Sequence, residues 1–272
     1  MTTKLLPTLA DFDTGPLGYR NKLTNAAFTV NQRRYVSGSN VGAANTYTYD
    51  RWRVTASGQA LTIAASTTYP NVNRATAPAG GLSQVVEGLD VEGGTYVLSW
   101  VGTATATVNG SAVANGGLVT LPGGVAAVVA FAGGTVERPQ LERALVPTDF
   151  EFRPFADELA RCQRYCVVWG GDFATQVLGA GFAVAVNSGI LVLPLPARMR
   201  AVPAVTVSAV ADWALSSATV SAAWASFTQA NNSPLCLELA VTAVGSPAWT
   251  ANGGLVARAA NINARLIASA EL

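Results

Sequence analysis

Histidine is absent from the 272 residues, and that gap removes more chemistry than any other feature of the chain. It takes away the commonest general base, the usual activator of a serine or cysteine nucleophile and the commonest metal ligand. Charge is scarce as well: charged residues make up 12%, against about 25% in ordinary globular proteins, while apolar residues reach 50%. Lysine occurs only as Lys4 and Lys22, and at a formal net charge of +1 there is no basic stripe to neutralise phosphates, which argues against nucleic acid and membrane surfaces as partners. Cysteine is limited to Cys162, Cys166 and Cys236, an odd number without framework spacing, so no disulfide is expected and a reducing compartment fits. A run of about 20 unbroken apolar residues is missing too. The longest uncharged stretch, 93–136, is cut by Asn109-Gly110, Asn115-Gly116-Gly117 and Pro122-Gly123-Gly124, turn signals that separate short β-prone pieces.

So few charges cannot cover the surface of a monomer of this size. Obligate interfaces resemble domain cores and are depleted in charge, so a homo-oligomer is expected. The opening stretch, MTTKLLPTLADFDTGP, has a very short apolar patch broken by Pro7 and followed by Asp11 and Asp13. This is unlike a secretory signal, and synthesis and assembly in a cytoplasm are expected.

The fold class reads as all-β. Residues 1–20 carry Pro7, Gly15, Pro16 and Gly18 with little periodicity and read as an extended arm for attachment. Residues 21–153 show short strands with turns every eight to twelve residues, the pattern of a sandwich or barrel. Within them, TATATVNGSAV (103–113) alternates with period two around Asn109-Gly110, which predicts a hairpin with a type I′ turn. NVNRATAPAGGLSQ (71–84) lacks alternation and reads as a loop, a place where binding residues often sit.

Residues 154–166 hold the one dense helical signal. Pro154 suits the first helical position, Asp157 and Glu158 fall early, and Arg161 and Arg164 fall late, complementing the macrodipole. Phe155, Leu159 and Cys162 or Cys166 share one face at spacings of three and four. The segment is expected to bridge two β domains. From 167 to 272 the strand signals resume in 182–196, 204–210, 235–241 and 261–272, predicting a second, smaller β-sandwich.

Candidate chemistry is thin. Cys162 and Cys166 could share a helix face, but Cys236 adds only a third thiol and no histidine completes a tetrahedral metal site. Glu87, Asp90 and Glu92 cluster, as do Asp149 and Glu151, yet the first group flanks a polar loop or strand edge where solvation accounts for it. No phosphate loop, dinucleotide fingerprint or EF-hand loop is present, so neither cofactor nor catalysis is expected. Six tryptophans remain. Trp52 and Trp100 sit in strand-like runs and read as core. Trp213, Trp224 and Trp249 lie nearer polar or turn-rich segments, and with Asn231 and Asn232 they are the candidate ligand residues, since aromatic faces accept the C–H face of a sugar ring.

Three blocks resemble bacteriophage tail-fibre and receptor-binding proteins. Residues 21–54, with an Asn-x-x-Phe strand and the block Tyr47, Asp50, Arg51 and Trp52, are similar to the start of the carbohydrate-binding-module-like jelly roll found in many of them. Residues 138–166 are similar to the junction of such proteins, where a Gln-Leu-Glu strand and a Pro-x-x-Phe-Glu turn close the jelly roll and a Cys-Gln-Arg-Tyr helix begins the next domain. Here Ala144 stands where the family often has glycine, and Cys166 where it has a second tyrosine. Residues 195–207 and the ending ASAEL resemble its C-terminal β domain. The resemblance implies a jelly-roll sandwich, a homotrimer, a virion location, an N-terminal arm held by other virion proteins and attachment to a host-surface glycan. It transfers no binding residues, because the matching blocks are fold markers. A purely architectural virion subunit, in a baseplate, collar or head decoration, is the alternative.

Overall fold

A computed structural model of the protein describes residues 19–272, so most of the expected 1–20 arm lies outside the described residues. The fold is all-β with one α-helix among the described residues. In chain order the first strands are β1 (Thr46–Tyr47), β2 (Arg53–Val54), β3 (Thr62–Ala65), β4 (Asn73–Ala77), β5 (Leu82–Val86), β6 (Gly94–Val101), β7 (Thr105–Val108), β8 (Ser111–Val113), β9 (Gly117–Leu121), β10 (Ala127–Ala132) and β11 (Gly134–Glu142). Helix α1 (Phe155–Gln163) follows. Then come β12 (Cys166–Trp169), β13 (Val177–Ala185), β14 (Ser188–Pro194), β15 (Ala204–Val207), β16 (Trp213–Ser216), β17 (Ser221–Gln229), β18 (Cys236–Ala243), β19 (Gly254–Ala259) and β20 (Leu266–Ser269). The chain forms two compact units divided inside α1, the first running to Leu159 and taking in Leu272, the second running from Ala160 to Glu271.

In the first unit a six-stranded sheet, β1-β2-β5-β10-β7-β8, and a five-stranded sheet, β3-β4-β11-β6-β9, form the sandwich expected for residues 21–153. Period-two alternation sends Ala127, Val129 and Phe131 of β10 and Tyr96, Leu98 and Trp100 of β6 into one core with Trp52 and Phe28. The 103–113 hairpin is present: Val108 faces Ser111, and Asn109 (φ 51°) and Gly110 (φ 81°) take the two left-handed positions of the turn. Segment 71–84 differs from expectation. It holds β4 and β5, joined by a turn in which Gly81 N–H donates to the Pro78 carbonyl. The alternation is carried by alanine: Ala75 and Ala77 are buried while Thr76 between them is exposed, a small-residue signal that a search for large apolar side chains passes over.

The resemblance blocks prove to be structural joints. Asn25, left-handed at φ 55°, donates from its amide to the carbonyls of Val30 (2.8 Å) and Asp50 (3.0 Å), and its Oδ1 accepts from the N–H groups of Thr29 and Val30. Its own carbonyl accepts the Trp52 indole N–H at 2.9 Å. Asp50 accepts from the Gln32 backbone (2.6 Å) and side chain (2.8 Å). Buried polar groups here satisfy one another and so specify one chain path.

The charged stretch 148–158 serves the same end. Arg153 donates to the carbonyls of Leu23 (3.1 Å) and Asn21 and lies 3.3 Å from Glu151 and 3.6 Å from Glu158. Glu151 accepts the N–H groups of Tyr19 and Asn21, each at 2.7 Å, and Glu158 accepts that of Asn25. This carboxylate and guanidinium clamp fastens residues 19–25 to the end of the sandwich. It also corrects the expected helix face: Phe155 is 56% exposed, while Glu158 and Cys162, four residues apart, are the buried side chains. The clamp's need for a buried carboxylate overrides the apolar periodicity.

The second unit is the smaller one. Strands β13-β14-β18-β17-β16-β19 close into a barrel, accompanied by the three-stranded sheet β12-β20-β15. Closure removes the open edges an ordinary sandwich leaves, and a narrow barrel brings backbones close together. At Gly181 a Cβ would run into the Ile190 carbonyl, so only glycine fits there.

Candidate functional site

The residues singled out as ligand candidates do not form one surface. Trp213 (0% exposed) and Trp224 (1%) are stacked inside the barrel, ring centroids 5.5 Å apart and planes 26° apart, and Trp249 (4%) belongs to the same core. Trp213 and Trp224 sit on strands whose alternate positions point outward, and Trp249 reaches the core from the connection between β18 and β19, which is what made the three look peripheral. With both faces of Trp213 and Trp224 occupied by packing, neither is a platform for a sugar, and that expectation is corrected. Asn231 donates to the Glu238 carboxylate (3.1 Å), and Asn232 Oδ1 accepts the Glu238 N–H (2.7 Å), so both pin the loop before β18. Trp52 and Trp100 are core, as expected, and Trp169 is partly buried against the second unit's core.

Of the three candidate tryptophans, Trp249 borders a cavity. It is about 220 Å3 in volume and lies at one end of the barrel, lined by Ser217, Thr219, Val220, Thr250, Gly254 and their neighbours. Ser217 is committed to its own turn, accepting from the Val220 N–H at 3.1 Å and donating to the Val220 carbonyl.

The acid clusters are held elsewhere. Glu92 is exposed and paired with Lys22 at 2.9 Å. Burial pushes the Glu151 carboxyl up, but the Asn21 N–H, the Arg153 charge and the Tyr19 N–H outweigh it and hold the group below the ordinary carboxylate range. Asp212 is also held low, first by the Asn261 side chain and then by that of Ser208. Cys162 and Cys166 are buried and Cys236 is half-buried. Among the described residues no group of three or more Cys, Asp or Glu side chains is placed to hold a metal ion, and no helix is long and apolar enough to cross a membrane.

No family model, curated protein or solved structure matches the chain.

The most unusual surface is the outer wall of the barrel on β13 and β14. Val177, Phe182, Val184, Val186 and Val192 are exposed there, Phe182 opposite Ile190 and Val192 opposite Ala180. No charged residue occurs between Asp172 and Arg198. The next strand contributes a single carboxylate, Glu238, opposite Val192. Large contiguous exposed apolar patches are uncommon on soluble monomers and mark interaction sites. A second cavity, beside Arg138 on the first unit, is lined by the polar side chains of Ser99, Gln140, Thr148 and Asp149, of which the sequence reading named only Asp149.

Proposed function

We propose that this chain is a virion structural subunit, a bacteriophage tail-fibre or spike component that associates into a homotrimer and attaches to a host-surface glycan. The observation that carries the reading is the uncharged, apolar outer wall of the β13–β14 hairpin. It gives the chain's charge deficit a location, and a second copy of the same chain is the occupant whose surface is equally poor in charge. Three copies would supply avidity, so that weak individual sugar sites suffice. The resemblance in residues 21–54 and 138–166 supports the virion setting, with residues 1–20 held by other virion proteins and assembly in the host cytoplasm.

Sedimentation of the full chain tests the assembly. A trimer at micromolar concentration is expected, shifting toward monomer in the variant carrying Phe182→Lys and Val192→Lys on the outer wall; a monomeric wild type would overturn the reading. A second reading, a purely architectural virion subunit, is favoured by one observation, the burial of Trp213 and Trp224 where a sugar-binding surface was expected. Glycan-array binding by the trimer separates the two, because the architectural subunit would bind none.

A further inference from the structure

Strand β11 carries one extra residue against β6: Glu137 pairs with Val101 but Gln140 with Ser99. Bulges of this kind re-aim side chains. Arg138 sits in this one at φ 52°, immediately before Pro139, a conformation that L residues rarely adopt and that a following proline disfavours further. Such strain persists only where the surroundings enforce it, and it concentrates at sites of function.

The surroundings are specific. The Arg138 guanidinium lies over two aromatic rings, 4.3 Å from the Tyr69 centroid and 4.9 Å from that of Phe150. Its position is thereby fixed, yet its N–H donors meet no acceptor among the described residues. It lines a cavity of about 220 Å3 together with Ser99, Thr148, Asp149 and Phe150. Asp149 is exposed, its backbone carbonyl accepts from Arg20, and its carboxylate has no partner among the described residues. The Ser99 hydroxyl is likewise uncommitted. Directly behind these groups lies a closed side-chain network: Gln140 donates to Glu142 (2.9 Å) and accepts the Glu151 N–H (2.8 Å), while Thr148 donates its hydroxyl (2.6 Å) and its N–H (2.8 Å) to Glu142. A hydrogen-bonded floor thus presents a fixed cationic donor, an anionic acceptor and a hydroxyl to one concave space, the organisation a binding site requires.

We propose that this cavity binds one neutral pyranose ring of a glycan. A sugar hydroxyl both donates and accepts, so adjacent hydroxyls can donate to Asp149 and accept from Arg138, with Phe150 forming an apolar side. The charges of Arg138 and Asp149 cancel, and Asp149 opposes a carboxylate-bearing sugar. The cavity, about 220 Å3 in volume, has room for one ring. The proposal rests on the attachment reading only for the biological role of the sugar, because binding is measured on the isolated protein.

The test is saturation-transfer NMR and titration calorimetry of the full chain against methyl glycosides of glucose, galactose, mannose and N-acetylglucosamine, with glucuronate as the acidic comparison. At least one neutral glycoside is expected to bind in the millimolar range, and Asp149→Asn and Arg138→Lys are each expected to weaken it by about tenfold or more. The Asp149 side chain carries no fold contact, so that variant keeps the wild-type melting temperature and its loss of binding cannot be ascribed to unfolding. Absence of binding by every neutral glycoside, undiminished binding by Asp149→Asn, or preference for glucuronate would each overturn the proposal. Host adsorption is a separate readout. Adsorption unaffected by Asp149→Asn in a variant that no longer binds sugar leaves this cavity without an attachment role, whereas sugar binding by a protein that does not adsorb sinks the attachment reading and leaves the site standing.

Discussion

Arg153→Met is the sharpest test of how the first unit is held together. Methionine keeps much of the apolar stem and removes the guanidinium. Glu151 and Glu158 then lose the cation at 3.3 and 3.6 Å, and the carbonyls of Asn21 and Leu23 lose their donor. Removing one partner of a buried ion pair costs about 3–5 kcal/mol, because the remaining charge is stranded away from water. Whole-domain stabilities run about 5–15 kcal/mol, so the loss is a large share. With a urea slope of about 1–3 kcal/mol per molar, the first unit's midpoint should fall by on the order of 2 M. Hydrogen exchange of residues 19–30 should rise with it, since those backbone groups are what the clamp fastens. Adding Glu158→Gln is expected to recover about 1 kcal/mol or more: the amide oxygen still accepts the Asn25 N–H, and one unpaired charge is gone. A shift below about 1 kcal/mol for Arg153→Met, or no recovery in the double variant, would show that the clamp is solvated in practice and that the reasoning is wrong.

The same logic extends to acid and to the aromatic core. Glu151 has a folded-state pKa below its ordinary 4.5, so its stabilising contribution is fully present above that value and is lost as pH falls through the folded pKa. The urea midpoint of the wild type should drop below about pH 4.5, and Glu151→Gln should flatten that part of the curve; parallel curves would refute the assignment. Trp224→Ala is expected to destabilise the second unit by about 3–5 kcal/mol without changing glycan binding, since the ring is packed against Trp213. Trp224→Phe should cost about 1 kcal/mol less than Trp52→Phe, because the Trp52 N–H bonds to Asn25 whereas that of Trp224 has no acceptor among the described residues. Urea unfolding of these three tryptophan variants checks both destabilisations.

The fold was legible wherever turn chemistry and large alternating side chains coincide. Asn109-Gly110 between alternating threonines announced its hairpin because the left-handed pair and the period of two are both local properties. Strand β4 was hidden because its inward positions are filled by alanine, and the start of β5 because the connection before it is crowded with proline and glycine, so the local text resembles a loop while pairing to β3, β11 and β10 decides otherwise. Barrel closure in the second unit depends on which distant strands meet, β13 with β19 above all, and no short window of sequence carries that. The buried face of α1 was misread for a related reason: a periodicity rule assigns the core to Phe155, yet a glutamate with a backbone N–H and an arginine waiting for it is the side chain that goes inside.

Site residues were harder to read because tryptophan at a strand position next to polar residues is ambiguous between two faces. Trp213 and Trp224 lie on β16 and β17, where alternation puts the adjacent positions outside and the indoles inside, whereas Trp249 packs into the same core from the connection between β18 and β19. A better signal was present in Glu137-Arg138-Pro139-Gln140. Proline within a strand demands a bulge or an edge, and a bulge beside a charged residue turns that residue out of the regular ladder. What the four letters could not supply is the company Arg138 keeps: Tyr69 comes from a loop nearly seventy residues earlier, and Asp149 and Phe150 from the turn that closes the sandwich. The clamp around Arg153 holds that closing turn in place through Glu151, so the stability test and the sugar test are linked in one direction. Loosening Arg153 should weaken binding at Arg138, while Asp149→Asn should leave the Arg153 clamp and its urea midpoint untouched.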